Sequence, residues 1–182
     1  MSVPIDAIKI LREKTGAPLG SIRSALESAK GDEAKAIELL KQKGFEAALK
    51  RQDRATSKGR VEAYVHHDGR VGALAEVACE TDFVSRTPEF QQFCRDVAMQ
   101  VASQQPLCLS KDQLSSTHLD DAKQAGKTAE QFAKEACLLE QSFIKDASQT
   151  VSQYLTSLIG KTGEHIVIRR FVRFTLGEEP TA

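Results

Sequence analysis

One dipeptide, Asp68-Gly69, does most to constrain how this chain can fold. It separates "RVEAYVHH" from "RVGALAEVACE", two stretches in which β-branched and small apolar residues alternate with polar ones. In the second stretch the alternate positions Val71, Ala73, Ala75, Val77 and Cys79 share one face, as in a half-buried strand. Asp-Gly is favoured in type I′ turns because both central residues of that turn need a positive φ. The sequence therefore predicts an antiparallel β-hairpin centred on this dipeptide.

The segment before the hairpin has helical periodicity instead. Apolar side chains recur at the spacing of three short amphipathic helices, near residues 5–11, 22–29 and 36–40. Thr15–Pro18 and Lys30–Asp32 interrupt the pattern, and Asp32 is a candidate N-cap for the third helix. Gly44 is expected to end that helix.

A longer helix is predicted directly after the hairpin. Thr87 can cap it, Pro88 suits its first turn, and apolar residues follow at helical spacing from Phe90 to Ala102. Pro106 is expected to end it.

The last third of the chain is less regular. Two capping-box patterns, Ser110 with Gln113 and Thr128 with Gln131, occur there, and the second precedes a helix expected to run through Leu139. Another helix from Val151 should stop near Gly160 or Gly163, and "HIVIRRFVRFTLG" predicts a closing strand.

These elements together predict an α+β fold. We expect a three-helix domain at residues 1–52, a linker at 53–60 and a core at 61–182, with a three-stranded antiparallel sheet packed against helices.

Composition limits where the protein works and what it binds. Hydrophobic residues make up 41% and charged residues 27%, no apolar run approaches the roughly 18 residues of a membrane span, and the first residues do not resemble a secretory signal. We expect a cytoplasmic protein with no membrane partner. The four cysteines form no C-x-x-C pair and the four histidines complete no cluster, so free thiols, no metal and no cofactor are expected.

Two Gly-Lys-Thr tripeptides, beginning at Gly126 and Gly160, suggest nucleotide binding. A phosphate-binding loop needs another glycine five positions earlier, so that backbone N–H groups can surround the phosphates. Those positions hold Asp121 and Leu155. We therefore expect no nucleotide site on this chain.

Two groups of polar residues could support other chemistry. His66 and His67 lie at the hairpin tip, where neighbouring strand residues would point to opposite faces. Glu76, Glu80 and Asp82 would share one strand face, but no partner nucleophile accompanies them. Solvent-exposed roles are favoured for both groups, and the sequence does not indicate an enzyme.

RNA binding is the alternative function. Residues 1–60 hold 13 Lys and Arg against 8 Asp and Glu, while residues 61–182 hold 12 against 17. A basic N-terminal domain and the basic-aromatic strand "RRFVRF" could contact nucleic acid. Because both faces of that strand carry an aromatic residue, a half-buried terminal strand is favoured and no direct nucleic-acid contact is expected.

The stretch "CETDFVSR", Cys79–Arg86, resembles the central motif of the translation elongation factor Ts family. "LREKTGA" and "GDEAKAIELLKQKG" are similar to that family's N-terminal three-helix domain of the ubiquitin-associated type. "CLLEQSFIKD" and "GEHIVIRRFVRF" are similar to successive parts of its core. The resemblance follows chain order over nearly the whole sequence and implies the same α+β fold, with a ubiquitin-associated-like bundle first.

Members of that family are guanine-nucleotide exchange factors for the GTPase elongation factor Tu. The resemblance implies that this chain binds elongation factor Tu–GDP, disturbs its Mg²⁺ site and promotes GDP release during the elongation step of protein synthesis. By motif match, the residues that enter the partner are Thr81, Asp82, Phe83 and Val84. Phe83 would act as a rigid wedge and Asp82 as a hydrogen-bond acceptor, while Thr81 and Val84 fix the turn.

Spacing alone leaves a second interpretation of Phe83, as a continuation of the buried strand face of Val77 and Cys79. The chain is also short for the family, with one core module and no long coiled-coil insertion. Partner surfaces of the missing module are then either absent or supplied by a second copy of the chain in a homodimer.

Overall fold

The computed structural model describes residues 4–178, except for the side chains at positions 45, 47 and 48. The chain divides into two compact units. One holds the chain through Ala55 together with Thr156–His165, and the other holds Thr56–Leu155 together with the chain from Ile166 onward. The domain limits at residues 52 and 60 stay a prediction. Within residues 4–178, no helix has both the length and the apolar character needed to cross a bilayer.

Three helices form first, as predicted: α1 (Ile5–Thr15), α2 (Leu19–Ser28) and α3 (Glu33–Leu49). Gly16 ends α1 in the left-handed region, with φ 63°. The Asp32 carboxylate accepts a hydrogen bond from the Lys35 N–H at 3.1 Å and so caps α3, which lowers the pKa of Asp32. The three helices bury one apolar cluster around Leu11, Ile22 and Leu26.

Gly44 does not end the third helix, contrary to the prediction. α3 continues through it to Leu49. A Cβ on Gly160 would lie 3.5 Å from the Gly44 Cα, so two residues without side chains face each other in this unit. Gly44 therefore permits a close approach of backbones, a role that its position after a lysine-rich turn did not reveal.

The predicted hairpin is confirmed. β1 (Lys58–Val65) pairs antiparallel with β2 (Val71–Cys79) in a register that brings Lys58 opposite Cys79. The turn type is different from the prediction. Gly69 has φ 68°, but Asp68 is not among the residues with positive φ, so the turn is not type I′. A longer loop joins β1 to β2. In this loop the Gly69 N–H donates to the His66 carbonyl, and the Asp68 carboxylate accepts from the Arg70 N–H.

The predicted three-stranded antiparallel sheet is also confirmed. β5 (Ile166–Thr175) pairs with the other side of β2, which gives the order β1-β2-β5. The inner face of β2 is buried, and α5 (Pro88–Gln104) packs against all three strands. The opposite side, which we call the outer sheet face, carries five exposed apolar side chains: Val61, Val65, Leu74, Val172 and Phe174.

A single helical turn, α4 (Asp82–Ser85), separates β2 from α5. The predicted caps of α5 are present: the Thr87 Oγ1 accepts from the Phe90 N–H at 3.3 Å, and Pro88 is the first helical residue. The helix ends at Gln104, just before Pro106, as expected.

The remaining elements are two helices, a short hairpin and a third helix. They are α6 (Ser116–Gln124), α7 (Ala129–Ala136), β3 (Ser142–Phe143), β4 (Asp146–Thr150) and α8 (Val151–Thr162). The Thr128–Gln131 capping box and the end of α8 near Gly163 are confirmed.

Two predictions in this region are wrong. Ser110 makes no side-chain cap, since only a 3-10 turn (Lys111–Gln113) follows it and the Gln113 side chain accepts from the Leu109 N–H instead. α7 stops at Ala136, before Leu139, because the Leu138 and Leu139 N–H groups donate to the carbonyls of Cys108 and Leu109.

Candidate functional site

The segment Thr81–Val84 lies between the end of β2 and the start of α5. The sequence predicts a turn here; in the structure Thr81 is the N-cap of α4 and Asp82–Val84 are the first residues of that helix. Thr81 is extended, with φ −129° and ψ 156°, and its Oγ1 accepts a hydrogen bond from the Val84 N–H at 3.4 Å. Thr81 therefore caps this turn, in keeping with its predicted role of fixing the backbone.

A second threonine holds the other end of the turn. The Thr87 hydroxyl donates to the Val84 carbonyl at 2.9 Å while it accepts from the Phe90 N–H. The Ser85 hydroxyl donates to the Asp82 carbonyl at 2.9 Å. α4 is thus tied to the first turn of α5, which gives the segment a defined backbone despite its short length.

Phe83 projects into solvent, with 88% of its surface exposed. The second interpretation of this residue, as a continuation of the buried face of β2, is therefore wrong. That face ends at Cys79, because the backbone turns helical at Asp82 and the side-chain period changes from two to 3.6. A single exposed apolar side chain is common on protein surfaces, so the notable feature of Phe83 is that its exposed ring stands on a backbone held by the hydrogen bonds of Thr81 and Thr87.

Val84, in contrast to Phe83, is buried, with only 8% of its surface exposed. Its side chain is buried while its backbone N–H and carbonyl bond to the two threonines. Val84 therefore anchors the turn that carries Phe83.

Asp82 forms an ion pair with Lys58, the first residue of β1. The Lys58 Nζ lies 3.4 Å from the Asp82 Oδ2, and both side chains are about half exposed. Sequence reasoning missed this lysine. The hairpin register could have found it, because folding the chain on Asp68-Gly69 sets Lys58 opposite Cys79, three residues before Asp82.

The carboxylates that were expected to share a strand face do not form a cluster. Glu76 pairs with Arg170 at 2.7 Å, Asp82 pairs with Lys58, and Glu80 lies beyond the end of β2. Among the residues that the structure describes, no group of three or more His, Cys, Asp or Glu side chains could hold a metal ion.

The two histidines at the hairpin tip are closer than predicted. Their ring centroids lie 4.3 Å apart, because His66 and His67 belong to the loop and do not alternate as strand residues would. The His66 Nδ1 lies 3.1 Å from the Tyr64 hydroxyl.

The arginines of "RRFVRF" are bonded within the chain. Arg169 donates to the carbonyl and hydroxyl of Thr56, Arg170 pairs with Glu76, and Arg173 donates to the Ala102 carbonyl at 3.1 Å. Guanidinium groups engaged in this way are less available to phosphates, so this strand does not favour the RNA-binding alternative.

Comparisons with known proteins agree with the motif. A family model described as elongation factor TS matches residues 22–130 and 124–178. The elongation factor Ts of Carboxydothermus hydrogenoformans is 46% identical over 190 residues, which cover 94% of this chain and 88% of that protein. The elongation factor Ts of Rubrobacter xylanophilus is 43% identical over 195 residues, which cover 97% of this chain and 100% of that protein. The similarity spans Thr81–Val84 and both units, and the chain belongs to the elongation factor Ts family.

Proposed function

We propose that this chain is a guanine-nucleotide exchange factor that binds elongation factor Tu–GDP and promotes release of GDP, so that GTP can bind. Family membership supports a role in the elongation step of protein synthesis. Thr81–Val84 is the segment that would enter the partner near its Mg²⁺ site.

The observation that carries the proposal is the contrast within α4. Phe83 is exposed on a backbone that Thr81, Thr87 and buried Val84 hold in place. A side chain with two rotatable bonds on a fixed backbone loses little conformational entropy when it inserts into a partner protein. Phe83 is therefore suited to displace elements of the GTPase near its Mg²⁺ ion.

Asp82 would assist as an acceptor. Its carboxylate is half exposed and forms a surface ion pair with Lys58, which is worth at most about 1 kcal/mol. The pair can therefore be exchanged for hydrogen bonds from partner groups at small cost.

The effect on nucleotide follows from linkage. A GTPase holds GDP through phosphate contacts and a bridging Mg²⁺, and disturbing the ion removes a large local charge interaction. If this chain binds the nucleotide-free partner more tightly than the GDP form, GDP must bind the complex more weakly by the same factor. No covalent bond is made or broken on this chain.

Release of a fluorescent GDP analogue from elongation factor Tu tests the proposal. We expect the wild-type chain to accelerate release, and Phe83→Ala to lose about tenfold or more of that acceleration at limiting concentrations. Leu176→Ala is the matched control, because Leu176 is 77% exposed and follows Thr175, which pairs with Val71 at the other end of β2. No acceleration by the wild-type chain at any concentration or Mg²⁺ level would overturn the assignment.

The same assay distinguishes insertion of Phe83 near the Mg²⁺ site from binding of the partner elsewhere on its surface. If Phe83 acts through the Mg²⁺ site, raising free Mg²⁺ should suppress the acceleration by the wild-type chain. If Phe83→Ala and Leu176→Ala behave alike, the exchange function stands but the role of Phe83 does not.

We also propose that a second copy of the chain covers the outer sheet face. This face carries exposed apolar side chains on all three strands, with Leu74 opposite Val172 and Phe174 65% exposed, and the Glu76–Arg170 ion pair lies on the same face. The resemblance indicates one core module where larger members carry two, and a two-fold dimer places identical faces against each other. Sedimentation velocity should show a dimer that Phe174→Glu dissociates and Leu176→Glu does not; a monomeric wild-type chain would contradict the proposal.

A further inference from the structure

Cys108 and Cys137 lie side by side without a covalent bond between their sulfurs. Their Sγ atoms are 3.5 Å apart, about 1.5 Å longer than a disulfide. Neither residue belongs to Thr81–Val84 or to the outer sheet face. The proposed exchange function uses neither thiol.

The backbone around the two cysteines is already fixed in a suitable arrangement. They form a parallel β-bridge, in which the Leu138 N–H donates to the Cys108 carbonyl at 2.9 Å and the Cys108 N–H donates to the Ala136 carbonyl at 3.3 Å. Paired strand residues lie roughly 4.8 Å apart, within the range of about 4.4–6.8 Å that disulfides span between Cα atoms. Side-chain rotation alone can therefore bring the sulfurs into bonding distance.

The two thiols differ in their environments. Cys108 is half-buried, whereas Cys137 has no exposed surface. Burial, with the hydrogen bond and charge of the neighbouring Cys108, raises the pKa of Cys137 to about 12. A dissolved oxidant therefore reaches Cys108 first, and Cys137 stays a protonated thiol beside it.

We propose that Cys108 and Cys137 are a reversible dithiol–disulfide site, oxidised by hydroperoxides and reduced by thiols. The Cys108 thiol transfers two electrons to the hydroperoxide O–O bond and becomes a sulfenic acid, with release of water or an alcohol. The Cys137 sulfur then attacks the Cys108 sulfur, its thiol proton leaves with the sulfenic hydroxyl as water, and the S–S bond forms. A dithiol reductant returns both cysteines to the free state.

The disulfide would close the segment that contains the 3-10 turn, α6 and α7. Both ends of this segment are then held covalently, which restricts the unfolded chain more than the folded one. For a loop of this size we expect the midpoint of thermal unfolding to rise by about 5 to 10 °C on oxidation.

The test uses the full chain, first reduced and freed of reductant, then exposed to one equivalent of hydrogen peroxide. Peptide mapping by mass spectrometry without reductant should recover Cys108 and Cys137 in one linked pair that is two hydrogens lighter, and the count of titratable thiols in denaturant should fall from four to two. Dithiothreitol should restore all four and reverse the rise in the thermal midpoint.

Two variants make the result decisive. Cys108→Ser, at the half-buried position, should keep three free thiols and show no rise in the midpoint after peroxide. Cys137→Ser should instead leave a Cys108 sulfenic acid that dimedone traps. Unchanged thiols in the wild-type chain, or linkage through Cys79 or Cys94, would overturn the proposal.

Discussion

Phe83 and Val84 are adjacent in one helical turn yet occupy opposite environments, 88% and 8% exposed. The turn that separates them is capped by Thr81 and tied to α5 through Thr87. Phe83 is thus exposed on a turn that buried Val84 anchors. Truncation of the two side chains should therefore have different effects on the free energy of unfolding.

Truncation of this pair should separate stability from exchange. Phe83→Ala should change the free energy of unfolding by less than about 0.5 kcal/mol, because the side chain is exposed. Val84→Ala removes two buried carbons and should cost about 1.5 to 3 kcal/mol. Urea unfolding followed by circular dichroism measures both, and a loss above about 1 kcal/mol for Phe83→Ala would argue that its side chain packs.

Gly59 should not tolerate a side chain. Its φ is 143°, and a Cβ there would lie 2.1 Å from the Val77 carbonyl oxygen. Gly59→Ala should therefore lower the free energy of unfolding by about 2 kcal/mol or more. Gly72→Ala is the matched control in β2, since its Cβ would meet nothing nearer than 3.5 Å; equal losses in both variants would contradict the steric reason.

Thr87 should contribute to stability as a cap. Thr87→Ala removes the acceptor of the Phe90 N–H and the hydroxyl donor to the Val84 carbonyl, which keeps its bond from the backbone N–H of residue 87, and should cost about 1 kcal/mol. Thr87→Ser keeps the hydroxyl and should recover most of that loss. Chemical denaturation of the three proteins checks this, and a serine variant as unstable as the alanine variant would refute it.

Ionisation of Tyr154 should lower the free energy of unfolding at alkaline pH. Burial, with the Asp96 carboxylate 3.3 Å from its hydroxyl, raises the pKa of Tyr154 to about 12. Above the unfolded-state pKa of about 10, the unfolded chain loses this proton before the folded one does. The stability that Tyr154 contributes is therefore complete below pH 10 and is lost as pH rises towards 12.

Comparison with Tyr154→Phe isolates this effect from the other groups that titrate in the same range. The wild-type urea midpoint should fall more steeply than that of the variant between about pH 10 and 11.5. Parallel pH profiles would show that the phenol is not responsible.

Patterns that depend on neighbouring residues predicted the fold well. The alternation around Asp68-Gly69 indicated β1 and β2 with their pairing, and Thr87-Pro88 indicated the start of α5. The prediction that Gly44 ends a helix is wrong because glycine as a stop signal reflects only the local sequence of one helix. The role of Gly44 depends on Gly160, which is far away in sequence.

The candidate site was also predicted only in part, because some of its contacts join residues that are far apart in sequence. Motif resemblance identified Thr81–Val84, but spacing could not decide whether Phe83 is buried, because that depends on where the strand period gives way to the helical one. Thr81 marks this point by capping the Val84 N–H. Lys58 was missed because its contact with Asp82 follows from the register of the hairpin and not from a local motif.

The position of β5 in the sheet has a consequence for how the protein is made. β2 is the central strand, and Cys79 cannot pair with Ile166 until the intervening residues 80–165 have been synthesised. The first three helices rely on local contacts and can form early, whereas closing the sheet requires a long loop, which slows folding. Until then β2 has an open edge, so the nascent chain should be most prone to aggregation between synthesis of Cys79 and of Ile166.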